Sequence, residues 1–145
     1  MTYVGGCQCG RVRYRAEGPR DHASICCCRM CQRASGGPFM AFVRFPSDRV
    51  SWTTPPDTFA SSNKVERGFC RDCSTPLTYR AVDGPNISLT LFSLDDPSAM
   101  APEVCFQPEA KPAWLDRFDA LQPKDMDYTG EAGFVSYQAK PGGEG

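Results

Sequence analysis

Nine cysteines stand in this chain of 145 residues, against a single histidine. Eight of them fall into tight groups. Cys7-Gln8-Cys9 lies near the start, Cys26-Cys27-Cys28-Arg29-Met30-Cys31 follows, and Cys70-Arg71-Asp72-Cys73 comes later, while Cys105 is alone. An odd count leaves a disulfide framework with one thiol over. The chain is expected to be cytoplasmic, where thiols stay reduced. Metal ligation or thiol chemistry is the better reading of the groups. Size does not force it, because a chain of this length buries a core of its own.

Zinc takes about four ligands in a tetrahedron, with Zn–S near ~2.3 Å. A C-x-x-C turn brings two sulfurs to one point. A C-x-C segment does the same if its backbone turns, and Gly5, Gly6 and Gly10 give that freedom. Cys7, Cys9, Cys70 and Cys73 then form a closed four-thiolate structural site. The alternative is four reduced thiols without a metal. Structural zinc contributes about 10–16 kcal/mol in finger peptides, against a net stability of roughly 5–15 kcal/mol for a whole domain.

The middle group reads differently. In an extended segment Cys26 and Cys28 share one side and Cys27 points away. Cys31 returns to the first side through a C-x-x-C turn. Three thiolates with a vacant fourth position are the pattern of a catalytic zinc. Two alternatives stand beside it: Cys27 or Cys105 closes the site as a fourth ligand, or the site holds no metal. Arg29 and Arg33 flank the group and either offset its negative charge or lie solvated on the surface.

The rest of the sequence reads as mostly β. Hydrophobic residues make up 41% and charged residues 23%, a globular balance. The net charge of −1 gives no reason to expect a nucleic-acid or membrane partner. No apolar run approaches the ~20 residues of a membrane-spanning helix, and the first residues do not read as a secretory signal. Thirteen glycines and thirteen prolines, spread among apolar runs, predict many short strands joined by turns. Residues 11–16 alternate, with Val12, Tyr14 and Ala16 inward and three arginines toward water. Residues 39–45 are apolar on both faces and read as a buried strand. Residues 50–52, 58–60, 77–82 and 86–91 read as further strands. Short helical pieces are expected near Cys31, after Asp95-Asp96-Pro97 and around Ala113-Trp114-Leu115. One zinc-binding domain over residues 1–138 and a disordered tail over 139–145 complete the expectation.

At this point the motifs are specific enough to name a likeness. Gly6-Cys7-Gln8-Cys9-Gly10, Cys26-x-Cys28-x-x-Cys31 and Phe69-Cys70-x-x-Cys73-x-Thr75-Pro76-Leu77 resemble the glutathione-dependent formaldehyde-activating enzyme family, as do Ser93-Leu94-Asp95-Asp96-Pro97 and Lys111-Pro112-Ala113-Trp114. The resemblance spans about residues 3 to 120. It implies a β-tent of packed antiparallel sheets, a structural zinc on Cys7, Cys9, Cys70 and Cys73, and a second, catalytic zinc on Cys26, Cys28 and Cys31. It also implies a carbon–sulfur lyase whose partners are a small aldehyde, formaldehyde, and a thiol such as glutathione, joined as S-(hydroxymethyl)glutathione. Three positions depart from the family pattern. Cys27 stands where His or Asn is frequent, Ser74 where Gly is usual, and Cys105 near a frequent His. If its position needs positive φ, Ser74 stores strain.

Two other readings stay open. One is a non-catalytic zinc-binding interaction module. The other is a methionine sulfoxide reductase-like enzyme with Cys105 as nucleophile and Cys27 resolving it; otherwise Cys105 reads as a buried small apolar side chain. His22 reads as a surface turn residue or a ligand. Trp52 and Trp114 read as core or pocket wall. Ser61, Ser62, Lys64 and Arg67 precede the later knuckle and are within possible reach of the pocket.

Overall fold

Strict alternation at residues 11–16 does build a strand, and it anchors the smaller of two sheets. In this computed structural model, which describes residues 1–126, 128 and 130–139, the strands are β1 (Thr2–Gly6), β2 (Arg13–Glu17), β3 (Ala23–Cys26), β4 (Met40–Pro46), β5 (Val50–Trp52), β6 (Asp57–Ala60), β7 (Val65–Phe69), β8 (Pro76–Ala81), β9 (Asn86–Thr90) and β10 (Val104–Phe106). The α-helix, α1, spans Arg29–Ser35. Short 3-10 turns make up the remaining regular structure, including Pro97–Ala99 and Ala113–Ala120, where helical pieces were expected.

One sheet has the order β1-β2-β5 and the other β10-β3-β4-β9-β8-β7-β6. The strands pair antiparallel except β10, which adds in parallel to the outer edge of β3. The expected mostly-β architecture of antiparallel sheets is present, with β10 as a parallel addition at one edge. The chain leaves β9, crosses residues 91–103 and reaches the free edge of β3 running in the same direction, so a parallel ladder is the one it can form.

β4 is the partition of the molecule. Ala41, Val43 and Phe45 turn to a core they share with Val12, Tyr14 and Leu89. Met40 and Phe42 turn the other way, onto Cys31 and Tyr79. The period of two along a strand thus gives β4 two buried faces, as its unbroken apolar run predicted. Tyr14 packs edge-on against Trp52, with ring centroids 5.3 Å apart, so Trp52 belongs to the core margin as expected.

Four strands escaped the sequence reading: β1, β3, β7 and β10. Each is short, and each is rich in small, charged or cysteine residues that carry no alternating apolar signal. Trp114 is 48% exposed and walls a surface hollow beside α1 rather than joining the core, because residues 108–121 lie as turns outside both sheets. Nor do all three arginines of the first alternation face water: Arg13 forms a bidentate pair with Asp95 at 2.8 and 2.6 Å. The tail expected from residue 139 lies, from 140 onward, outside the described residues. Ala139 itself donates its N–H to the Gln8 carbonyl at 2.7 Å.

Candidate metal centres

Two turns face each other where β1 and β7 end. In the first, the Cys7 N–H donates to the Val12 carbonyl at 2.9 Å and the Gly10 N–H to the Cys7 carbonyl at 3.1 Å. Gly10 makes the turn possible by adopting φ +84. In the second, the Cys70 N–H donates to the Thr75 carbonyl and the Ser74 N–H to the Cys70 carbonyl. Ser74 holds φ 63, so the conditional strain noted from the sequence is present. The Gln8 N–H bonds the Thr75 hydroxyl at 3.0 Å and joins the two turns. Gly5 permits the close approach of β1 to its surroundings, since a Cβ there would lie 2.4 Å from the Ser93 carbonyl and the Tyr14 hydroxyl.

The result is that the sulfurs of Cys7, Cys9, Cys70 and Cys73 all lie within 4.8 Å of one another. Cys7 and Cys70 are buried and belong to the main core, while Cys9 is exposed. As free thiols they differ in acidity. Burial pushes Cys70 up to about 12. Burial also opposes the Cys73 thiolate, but hydrogen bonds from the Thr75 hydroxyl and from the backbone of Thr75 and Cys9 outweigh it and bring Cys73 to about 6. Four convergent thiols are a donor set suited to zinc, closed to further ligands.

The second group forms where β3 runs into α1. Cys26 ends β3, Cys28 caps the helix, and Cys31 lies one turn on, with its N–H donated to Cys28 Sγ at 3.3 Å. The three sulfurs again lie within 4.8 Å of one another. His22 and Cys105 do not enter this group, and Cys27, only 1% exposed, points away as the alternation predicted. Burial raises the thiols of Cys26 and Cys31, the latter to about 12 despite the opposing pull of Arg67.

Arg67 is the cation at this group. It is 3% exposed. Its Nη2 donates to Cys31 Sγ at 3.4 Å, its Nη1 to Met40 Sδ at 3.4 Å and its Nε to Ser61 Oγ at 2.9 Å, and its guanidinium lies 5.0 Å from the Tyr79 ring centroid. Among the described residues no carboxylate forms an ion pair with it. Arg29 and Arg33, the sequence candidates for charge balance, are exposed, because they sit on the outer face of α1. Of the four residues placed ahead of the later knuckle, Arg67 reaches the site and Ser61 holds it, whereas Lys64 is exposed.

The trio opens on a cavity of about 460 Å³, within the ~300–1,000 Å³ range of small-molecule sites. Phe42 and Phe106 give it apolar wall, and Tyr79, Ser88, Asn86 and Arg44 give polar groups. His22 also lines it, paired through Nδ1 with Asp21 at 3.2 Å. A wider groove of about 1230 Å³ lies over β2 and β5. Two of the arginines that line it, Arg11 and Arg13, are already paired with Asp72 and Asp95.

Sheet architecture and paired thiol clusters together define a mostly-β protein able to hold metal ions at two places. Over residues 2–109 the sequence matches the glutathione-dependent formaldehyde-activating enzyme family, and the chain belongs to that family. An uncharacterized lyase of Schizosaccharomyces pombe is 33% identical over 84 residues, which cover 58% of this chain and 61% of that lyase. The match therefore spans less than two thirds of that relative's length. A Rhodobacter sphaeroides protein of known crystal structure shares the fold, with a TM-score of 0.55 at 17% identity, covering 72% of this chain and 99% of that one. At that identity the likeness speaks to the fold alone. Among the described residues no helix is long and apolar enough to cross a membrane.

Proposed function

We propose that the chain is a zinc-dependent carbon–sulfur lyase-type enzyme acting on the adduct of a small aldehyde, formaldehyde, with a thiol such as glutathione. In this reading Cys7, Cys9, Cys70 and Cys73 hold a structural zinc, and Cys26, Cys28 and Cys31 hold a second zinc at the reaction site. The observation that carries it is the convergence of three thiols at a cavity, with a buried guanidinium on one of them. A buried cation with no carboxylate partner among the described residues calls for an anion beside it. A trio of thiolates around a divalent ion carries net negative charge and meets that need. When bound, zinc supplies Lewis acidity, which makes a thiol more acidic or polarises an aldehyde oxygen.

The chain's own groups do the rest. Arg67 holds Cys31 in place and offsets the charge of the trio. Phe42 and Phe106 keep part of the cavity dry, which strengthens the electrostatics inside. Tyr79, whose hydroxyl burial keeps protonated, and Ser88 offer donors toward an oxygen in the cavity. In the forward direction the sulfur–carbon bond forms, the carbonyl π bond breaks, and the thiol proton ends on the new hydroxyl.

Uncatalysed addition of thiols to formaldehyde is fast, so exchange NMR between free and adducted glutathione is the suitable test. Zinc-loaded protein is expected to accelerate the exchange and Cys28→Ser to abolish the acceleration. A second reading, a zinc-binding interaction module, draws on the exposed aromatics Trp114, Phe118 and Tyr137. Absence of acceleration by fully zinc-loaded protein would select it.

A further inference from the structure

Cys27 and Cys105 stand outside both thiol clusters. β10 runs parallel to β3 with Cys105 opposite Ile25 and Phe106 opposite Cys26. The ladder extends one step further, from the Cys27 N–H to the Phe106 carbonyl at 3.0 Å. Alternate residues of a strand share a face. Cys26 and Phe106 therefore point to the cavity, which they line, while Cys27 and Cys105 share the reverse face. There Cys105 stands opposite Ile25 and diagonal to Cys27, its next neighbour along that face of the ladder. Their access differs: Cys27 is 1% exposed and Cys105 is exposed. The structure thus overturns the reading of Cys105 as a buried apolar side chain, because β10 is an edge strand with all three residues exposed.

We propose that Cys27 and Cys105 form a thiol–disulfide exchange site for low-molecular-weight disulfides such as glutathione disulfide, with Cys105 attacking and Cys27 resolving. The thiolate form of Cys105 is the nucleophile. That thiolate attacks one sulfur of the small disulfide. The disulfide bond breaks, one thiolate leaves, and Cys105 carries the other half as a mixed disulfide. Cys27 Sγ then attacks Cys105 Sγ, its proton passing to the second departing thiol. One small disulfide is reduced to two thiols, and one bond between Cys27 and Cys105 is formed. Burial dictates the order, since a thiol covered from solvent is reached by its neighbour and not by a dissolved disulfide. The bond ties the edge strand β10 to β3 on the face opposite the cavity and uses none of the clustered thiols. The site is independent of the lyase reading.

The experiment treats zinc-loaded protein with glutathione disulfide, followed by thiol counting under denaturing conditions with a chelator, non-reducing peptide mapping and zinc analysis. The thiol count is expected to fall from nine to seven, with a cross-link between the peptides carrying Cys27 and Cys105 and no loss of zinc. Cys26, Cys27 and Cys28 share one tryptic peptide, so Cys27→Ser makes the assignment: it should trap a stable glutathione adduct on Cys105. Cys105→Ser should retain all its thiols. Nine thiols left in the treated parent protein, an adduct on Cys105 that never resolves, or a cross-link to a clustered cysteine with zinc release would each overturn the proposal.

Discussion

Arg67 Nη2 lies 3.4 Å from Cys31 Sγ, and Arg67 is almost wholly out of solvent. A charge so placed is stable only with an anion next to it, which ties the two residues to one electrostatic unit. Replacing Arg67 by Met keeps much of the packing and removes the charge. Loss of such a partner typically weakens a metal site about 10–100-fold. Competition with a chromophoric chelator should show that loss for one zinc per chain and leave the other unchanged, with Arg67→Lys in between. Equal affinities in Arg67→Met and the parent protein would detach Arg67 from the site.

Tyr14 gives a pH dependence whose sign follows from its burial. Its hydroxyl shares a 2.8 Å hydrogen bond with Ser93 Oγ under the core. Burial raises its pKa, and the Ser93 hydrogen bond opposes this more weakly. In the unfolded chain the phenol ionises near ~10. Above that point the unfolded state has released a proton that the folded state keeps, so stability falls as pH rises. Tyr14→Phe should lose about 1 kcal/mol at neutral pH from the missing hydrogen bond and show a shallower alkaline decline. Urea titrations across that range check it; parallel declines would assign the effect to another group.

Ser74 and Gly10 occupy matching places, each directly after the second cysteine of its turn and each at positive φ. Only glycine adopts that conformation without a steric cost, about 1–2 kcal/mol for other residues. Part of the gain from Ser74→Gly is offset by the greater freedom of glycine in the unfolded chain. The expected net is about 0.5–1 kcal/mol of added stability, a rise in melting temperature of roughly 2–3 °C for a chain of this size. An unchanged or lower melting temperature would show that the strain is relieved elsewhere.

Cysteine spacing made the two thiol groups legible before any coordinates, because two turns and one strand-to-helix junction fix where those sulfurs point. The strands with alternating or doubly apolar patterns, β2, β4 and β9, were legible for the same kind of reason. β3 and β10 were not, since Ala23-Ser24-Ile25-Cys26 and Val104-Cys105-Phe106 are too short for a period to emerge. Arg67 was within reach as a candidate, but nothing local separates it from Lys64. Its burial depends on Met40 of β4 and Tyr79 of β8 closing around it. The placing of Cys27 and Cys105 on one face is likewise a tertiary event, created by a parallel strand pairing that sequence patterning does not encode.

The most direct test is zinc per chain in protein purified without added metal, measured for the parent, Cys28→Ser and Cys9→Ser, with a melting curve for each. The account predicts about two zincs in the parent protein. Cys28→Ser should hold about one and melt as a folded protein. Cys9→Ser should lose its cooperative transition, because the four-thiol site joins β1 to the end of β7. A single zinc in both the parent protein and Cys28→Ser, or an unaltered melting curve for Cys9→Ser, would contradict it.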